Sequence, residues 1–380
     1  MIPYGRQEIT QNDIDVVTQV LKSDFLTQGT VVPEFEKIVA DYCDAKYGVA
    51  TNSATSALHI ACLALGLKEG DYLWTSPITF VASANCGVYC GATVDFVDID
   101  SETYNLSPQV LEEKLIQAEI DGKLPKIVIP VHFAGQSCEM EKIHKLSNKY
   151  GFKIVEDASH AIGGKYKSSL IGNCQYSDIT VFSFHPVKII TTGEGGMAVT
   201  NSKSLADKMS LLRSHGVTRD VHMMTHEPDG DWYYQQLDLG YNYRMTDIQA
   251  ALGASQMERI DQYIGKRHSI AKRYSEELDG YPINSQLQSD DTFSAYHLYV
   301  IRVKELQHNR IFSLLRDNGI GVNLHYIPIY RQPYYEKFGY HINNYPNSEK
   351  YYSQAITLPI YPKLTNEEQS KVISILQSLL

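Results

Sequence analysis

At 380 residues, 43% hydrophobic and 21% charged, the chain is long enough for about two domains and too apolar to be disordered. A formal net charge of -10 argues against a nucleic-acid surface, which needs a basic stripe, but leaves room for a small anion held by a few local donors. The start MIPYGRQEIT has no basic stretch followed by an apolar one, and no apolar run reaches the roughly 18 residues of a spanning helix. A cytoplasmic protein with no membrane segment is expected.

Asn12 is placed to cap a helix with Ile14, Val17, Val20 and Leu21 on its apolar face, and Pro33 opens a second with Phe35, Ile38, Val39 and Tyr42. YGVAT (47–51) reads as a buried strand and Ser53 to Leu65 as a helix. Further strands are expected in DYLWTS (71–76), ATVDFVD (92–98), KIVIPVHF (126–133), FKIVED (152–157), DITVFSF (178–184) and GMAVT (196–200). Helices between them begin at Ser107-Pro108 and run from Ser137 to Tyr150, where Gly151 ends the second. Alternation of this kind predicts an α/β fold with a mostly parallel sheet between helices. Val217 to Gln236 has no clean period and reads as a long loop, of a kind that is usually functional or mobile. Thr246 to Leu278 reads as one long helix linking two domains. HLYVIRV (297–303) and VNLHYIP (322–328) are strand-like and Val372 to Leu380 helical, which suggests a smaller α+β C-terminal domain. The division expected is 1–250 for the N-terminal segment and large domain, and 251–380 for the linking helix and small domain.

Of the six cysteines, Cys86 and Cys90 share a helix face, but no second Cys or His pair of matching spacing follows. Core packing, no disulfide and no metal site are expected.

The segment SFHPVKIITTGEGG (183–196) sets Lys188 beside a glycine cluster. A phosphate loop requires the lysine after the glycines and a helix next, whereas here Lys188 comes first and the strand-like MAVT follows Gly196. In ATNSATSALH (50–59) a buried strand meets a helix start, where the amides of Ala54 and Thr55 and nearby hydroxyls can hold an anion. A plain N-cap explains the same residues equally well. Asp157 ends the strand in VEDASHA (155–161), where a carboxylate serves as a structural cap or as the partner of a cationic ring nitrogen. Together these features suit pyridoxal phosphate. The cofactor needs a lysine to bind its aldehyde as an imine (Lys188) and a carboxylate to keep its ring nitrogen protonated (Asp157). It also needs a phosphate cradle (Ala54, Thr55 and Ser183) and a cover for its ring (Phe80).

At this point the sequence resembles the DegT/DnrJ/EryC1/StrS sugar-nucleotide aminotransferases, which are pyridoxal-phosphate enzymes of fold type I. The resemblance spans nearly the whole chain. It is carried by NSATSALH (52–59), SPITFVASAN (76–85), EDASHA (156–161), SFHPVKIITTGEGG, LRSHG (212–216) and GYNYRMTDIQAALG (240–253). It implies a seven-stranded, mostly parallel sheet in the large domain, with Lys188 and Asp157 in the catalytic roles above. Ser183 and Ala54 would then lie at the phosphate, and Asn242 would reach the site of the neighbouring subunit in a homodimer with shared active sites. His160 stands where many relatives carry glutamine, and the resemblance places it beside the cofactor ring. Within the family, GRQEI…LTQG, SHGVTRD and VNLHYIPIY (322–330) are similar to transaminases of pseudaminic acid biosynthesis. Those enzymes use L-glutamate to aminate C4 of a UDP-linked 4-keto-6-deoxy sugar. This narrower likeness implies a sugar-nucleotide pocket lined by Tyr4, Asp24, Phe25, Leu26, Thr27, His185, Asn323, Leu324, His325 and Tyr326. A GDP-linked sugar, as for a perosamine synthase, is the alternative substrate. A non-catalytic pyridoxal-phosphate-binding regulator is the alternative class, and it needs an added DNA-binding or sensor domain.

Overall fold

The computed structural model describes residues 1–380. Its centre is a seven-stranded sheet built from β1 (Tyr47–Thr51), β2 (Tyr72–Thr75), β3 (Thr93–Phe96), β4 (Ile127–Ile129), β5 (Lys153–Asp157), β6 (Ile179–Ser183) and β7 (Gly196–Thr200). The spatial order is β1-β7-β6-β5-β4-β2-β3. β7 runs antiparallel to both its neighbours, and the remaining pairs are parallel. β6 and β7 are buried along their whole length, as strands covered on both faces must be.

Helices α1 (Gln11–Leu21), α2 (Val31–Cys43), α3 (Ala54–Ala64), α4 (Ala82–Tyr89), α5 (Pro108–Asp121), α6 (Met140–Tyr150) and α7 (Lys203–Arg213) surround this sheet. Two further helices, α8 (Asp247–Met257) and α9 (Ile260–Glu277), lead to the C-terminal part. There Asn284–Ser285, Tyr299–Arg302 and Ala355–Leu358 form an antiparallel sheet covered by Glu305–Asp317 and Asn366–Leu379. Ile2–Pro3 pairs in parallel with Ile320–Gly321, so the chain start packs with the C-terminal residues. No helix is long and apolar enough to cross a membrane.

Several local expectations change. The helix expected over 246–278 breaks at Glu258–Arg259, where Arg259 turns to bind Asp13 with oxygens at 2.7 and 2.9 Å. β4 stops at Ile129 because Pro130 brings no N–H to the ladder. Thr10, not Asn12, caps α1, in a capping box with Asp13. The last helix starts at Asn366 behind a Thr365–Glu368 capping box, well before Val372. Residues 322–328 form no strand, and a single bridge, Asn323 to Thr357, is their only ladder pairing with a sheet. The segment 217–236 closes as a short hairpin through Val217–Thr218 and Gln235–Gln236.

Gly196 pairs with Thr51 on one side and Ser183 on the other, bringing the ends of β1 and β6 to one level. A Cβ on Gly196 would lie 2.6 Å from Ala54 Cα and Ser53 C, so only glycine lets β7 enter beneath the start of α3. Gly196→Ala is therefore expected to cost about 1–3 kcal/mol of stability. It should also weaken phosphate-ligand binding, measured by denaturant melts and by titration with pyridoxal phosphate.

Candidate active site

The carboxyl ends of β1, β5 and β6 meet along one sheet edge, where α/β folds gather ligands. β5 delivers Asp157, paired in register with Val181 of β6. Its carboxylate accepts from Ser83 Oγ at 2.6 Å, from Ser159 Oγ at 2.6 Å and from Ser159 N–H at 3.1 Å. Behind it, buried Glu156 accepts from His132 Nε2 at 2.6 Å, while His132 Nδ1 accepts from Cys138 N–H at 3.1 Å. Burial works against the Glu156 carboxylate, but His132 and the Ser177 and Thr180 hydroxyls outweigh it and hold its pKa below the ordinary value.

Lys188 lies in the loop between β6 and β7. Loop hydrogen bonds join Phe184 N–H to Gly195 O (2.9 Å), Thr192 N–H to Phe184 O (3.0 Å) and Lys188 N–H to His185 O (2.9 Å). Burial lowers the Lys188 amine to about 8, and the nearby Asp157 carboxylate pulls the other way. The neutral, nucleophilic fraction therefore rises with pH through about 8. Covalent capture of pyridoxal phosphate by cofactor-free protein is expected to accelerate about tenfold per unit below that value and to level off above it. Stopped-flow absorbance checks this, and a midpoint near an ordinary lysine's 10.5 would refute it.

Three buried imidazoles face the lysine. His160, His297 and His325 are held neutral first by burial and then by the Lys188 charge, and His325 falls to about 3. His160 Nδ1 accepts from Ala134 N–H at 3.3 Å, and its Nε2 lies 3.1 Å from Tyr326 Oη. His325 bonds Thr357 Oγ1 at 2.9 Å, and the Tyr4 ring lies 5.0 Å from the His325 ring. His297 stands 4.4 Å from His160 by ring centroid, with Nδ1 unpartnered. Buried Arg267 fixes the backbone beneath it, donating to the carbonyls of Tyr296, His297 and Ile360.

The anion cradle also forms. Ser53 caps α3 by accepting from Ser56 N–H at 3.1 Å, which leaves Ala54 and Thr55 in the first turn, where amides have no intrahelical acceptor. The Ser183 and Thr55 hydroxyls make no hydrogen bond within the chain, and Phe80 is 59% exposed, 6.3 Å from the Tyr326 ring. Pyridoxal phosphate fits this donor set: an amine with a depressed pKa, a carboxylate held by three donors, a helix start with unused donors, and an uncovered aromatic face.

The remaining expected residues are more scattered. Asn242 is exposed, and its carbonyl accepts from Asn52 Nδ2 at 3.3 Å. His185 is exposed and Leu324 half-buried, and Asn323 Oδ1 accepts from Leu324 N–H at 2.9 Å. Asp24 to Thr27 are exposed beside α8, with Thr27 bridged to Thr246. Asp24 and Phe25 line a separate open cavity of about 1070 Å³ with Gly29 and Asp247. Sequence reasoning missed Ser83, Ser159 and His297. The D-x-S spacing of Asp157 and Ser159, which suits a short side-chain-to-backbone turn, was the available signal for one of them.

The chain matches the DegT/DnrJ/EryC1/StrS aminotransferase family over residues 7–377. It is 38% identical over 385 residues to the spore coat polysaccharide biosynthesis protein SpsC of Bacillus subtilis, covering 100% of this chain and 97% of SpsC. It is 38% identical over 384 residues to the UDP-4-amino-4,6-dideoxy-N-acetyl-beta-L-altrosamine transaminase of Campylobacter jejuni, covering 100% and 98%. Among solved structures, PseC of Helicobacter pylori, an aminotransferase of pseudaminic acid biosynthesis, superposes with a TM-score of 0.91 at 30% identity, covering 100% and 98%. The sugar aminotransferase Spr1654 of Streptococcus pneumoniae, solved in PMP and PLP forms, superposes with TM-scores of 0.91 and 0.90 at 29% identity, covering 100% and 99%. With a family match along nearly its whole length and a mostly parallel central sheet, the chain belongs to the DegT/DnrJ/EryC1/StrS family of pyridoxal-phosphate-dependent aminotransferases.

Proposed function

We propose that the enzyme transfers the amino group of L-glutamate to C4 of a nucleotide-linked 4-keto-6-deoxy sugar. The substrate proposed is UDP-2-acetamido-2,6-dideoxy-β-L-arabino-hexos-4-ulose, and the product is the altrosamine precursor of pseudaminic acid. The observation that carries the substrate is the 38% identity, along essentially the whole of both chains, to the Campylobacter jejuni transaminase.

Bound pyridoxal phosphate supplies an aldehyde that accepts an amino group and a ring that stores the electron pair released from an adjacent C–H bond. Lys188 Nζ takes the proton from Cα of glutamate and later delivers one to C4 of the sugar, a role suited to an amine poised near neutrality. Asp157 pairs with the ring nitrogen, and Ser83 and Ser159 aim its carboxylate. Ala54, Thr55 and Ser183 hold the phosphate, and Phe80 and His160 flank the ring. Tyr4, His325 and Tyr326 lie on the sugar side. The reading includes a cytoplasmic homodimer in which Asn242 reaches the neighbouring site, in keeping with its exposed side chain, which finds no partner in its own chain.

The test loads the enzyme with glutamate, which should bleach its yellow colour, and then offers UDP-, GDP- and dTDP-linked 4-keto sugars. Colour returning with the UDP sugar is expected. Recovery with a GDP sugar alone removes the altrosamine assignment, and a protein that takes up no cofactor refutes the whole reading.

A further inference from the structure

The hydrogen bonds around His160 have a direction. Ala134 N–H donates to Nδ1 at 3.3 Å, so that nitrogen carries no proton. Burial and the charge of Lys188 keep the ring from taking a second proton. The single proton of the neutral imidazole therefore sits on Nε2 and points at Tyr326 Oη, 3.1 Å away. The reverse arrangement would set two N–H donors against each other at Ala134. With its oxygen accepting from His160, the Tyr326 hydroxyl must direct its own proton elsewhere, and no protein acceptor receives it. The phenol is packed among Phe80, Phe133 and the His325 ring, at 6.3, 6.4 and 4.9 Å between centroids, so it has little freedom to swing away. It lies where the Asp157 charge reaches it and where the Lys188 charge reaches His160.

We propose that Tyr326 donates a hydrogen bond to the oxygen on C4 of the substrate sugar, and that His160 is the positioning residue that fixes the direction of this O–H. The proposal rests on the functional reading above, because it takes the ligand to be a 4-keto sugar. Lys188 has to exchange a proton at C4, so the oxygen on that carbon lies beside the lysine, in the region the phenol faces. A donor already oriented toward a carbonyl oxygen polarises it for attack by an amine without reorganising at the moment of reaction. The glutamate half-reaction begins without an oxygen on the reacting carbon and gains one only when water releases 2-oxoglutarate, so its loss of yellow colour, which precedes that step, should respond less than the sugar half.

The test measures both half-reactions in single-turnover mode with the holoenzyme. It also measures, by calorimetry, the affinity for UDP-N-acetylglucosamine, which carries an oxygen on C4 but no ketone, against that for UDP. Tyr326→Phe keeps the ring and loses the donor. It is expected to slow the sugar half about tenfold more than the glutamate half, and to weaken the UDP sugar about three- to tenfold more than UDP. His160→Gln preserves an acceptor for Ala134 and a donor for Tyr326 and should keep the wild-type ratio of the two half-reaction rates, whatever both lose from the altered ring contact, whereas His160→Leu should reproduce the Tyr326→Phe imbalance. Equal losses in both halves, or equal losses for UDP and the UDP sugar, overturn the donor. His160→Leu behaving like His160→Gln overturns the positioning role. A wild-type enzyme that aminates no keto sugar overturns the functional reading, and this inference falls with it.

Discussion

Lys188→Ala is expected to abolish amino transfer, with a loss of about 10⁴-fold or more, because one side chain both holds the cofactor covalently and moves the proton. Both half-reactions should fail together, and pyridoxal phosphate should bind reversibly and leave on dialysis. The fold should not suffer. The one hydrogen bond that ties Lys188 to the loop runs from its backbone N–H to His185, and alanine keeps it. Burial already disfavours the ammonium, so its removal should leave the melting temperature unchanged or raised. Lys188→Arg keeps a positive charge yet offers no amine near neutrality, and it should be as inactive as alanine. Measurable turnover by either variant in single-turnover assays would falsify the assignment.

Asp157→Asn should retain the fold while losing about 10²–10³ in rate in both half-reactions. The serine hydroxyls that donate to the carboxylate can rotate to meet an amide, and Ser159 N–H still finds the side-chain oxygen. What disappears is the negative charge opposite the ring nitrogen. The parallel loss separates this residue from Tyr326, whose removal is expected to weigh more heavily on the sugar half. An Asn variant within tenfold of wild type would remove Asp157 from its role.

Much of the fold is legible in the sequence. YGVAT and GMAVT form strands over the expected residues, since apolar runs beside glycine or turn residues leave little choice of end. The proposed carboxylate and helix start stand out as residue types at strand ends, where topology limits the possibilities, and the proposed lysine as a charge set before a glycine cluster. The break at Glu258–Arg259 was hidden because no glycine or proline marks it, and its cause is a carboxylate on α1. VNLHYIP alternates like a strand, yet only the Asn323–Thr357 bridge forms, and His325 and Tyr326 bond instead to Thr357 and His160 through their side chains. Ser83 lies in SPITFVASAN, but its bond to Asp157 joins α4 to the end of β5 across 74 residues, and no local pattern announces it. His297 carried no signal at all, since its importance lies in which rings it meets.

The loop carrying Lys188 leaves the sheet at Ser183 and returns at Gly196, and those two residues are paired neighbours. Its ends are thus clamped side by side, and its interior is cross-linked by the bonds of Phe184, Thr191 and Thr192. In the role proposed for it the amine would detach, shuttle a proton and reattach, and a frame this closed leaves only the lysine's own torsions to move. That motion belongs to the picosecond-to-nanosecond range of side-chain rotation, far faster than loop opening. Turnover should then be paced by the bonds made and broken or by the traffic of bulky sugar nucleotides, and amide exchange at Phe184 and Thr192 should stay slow even in working enzyme.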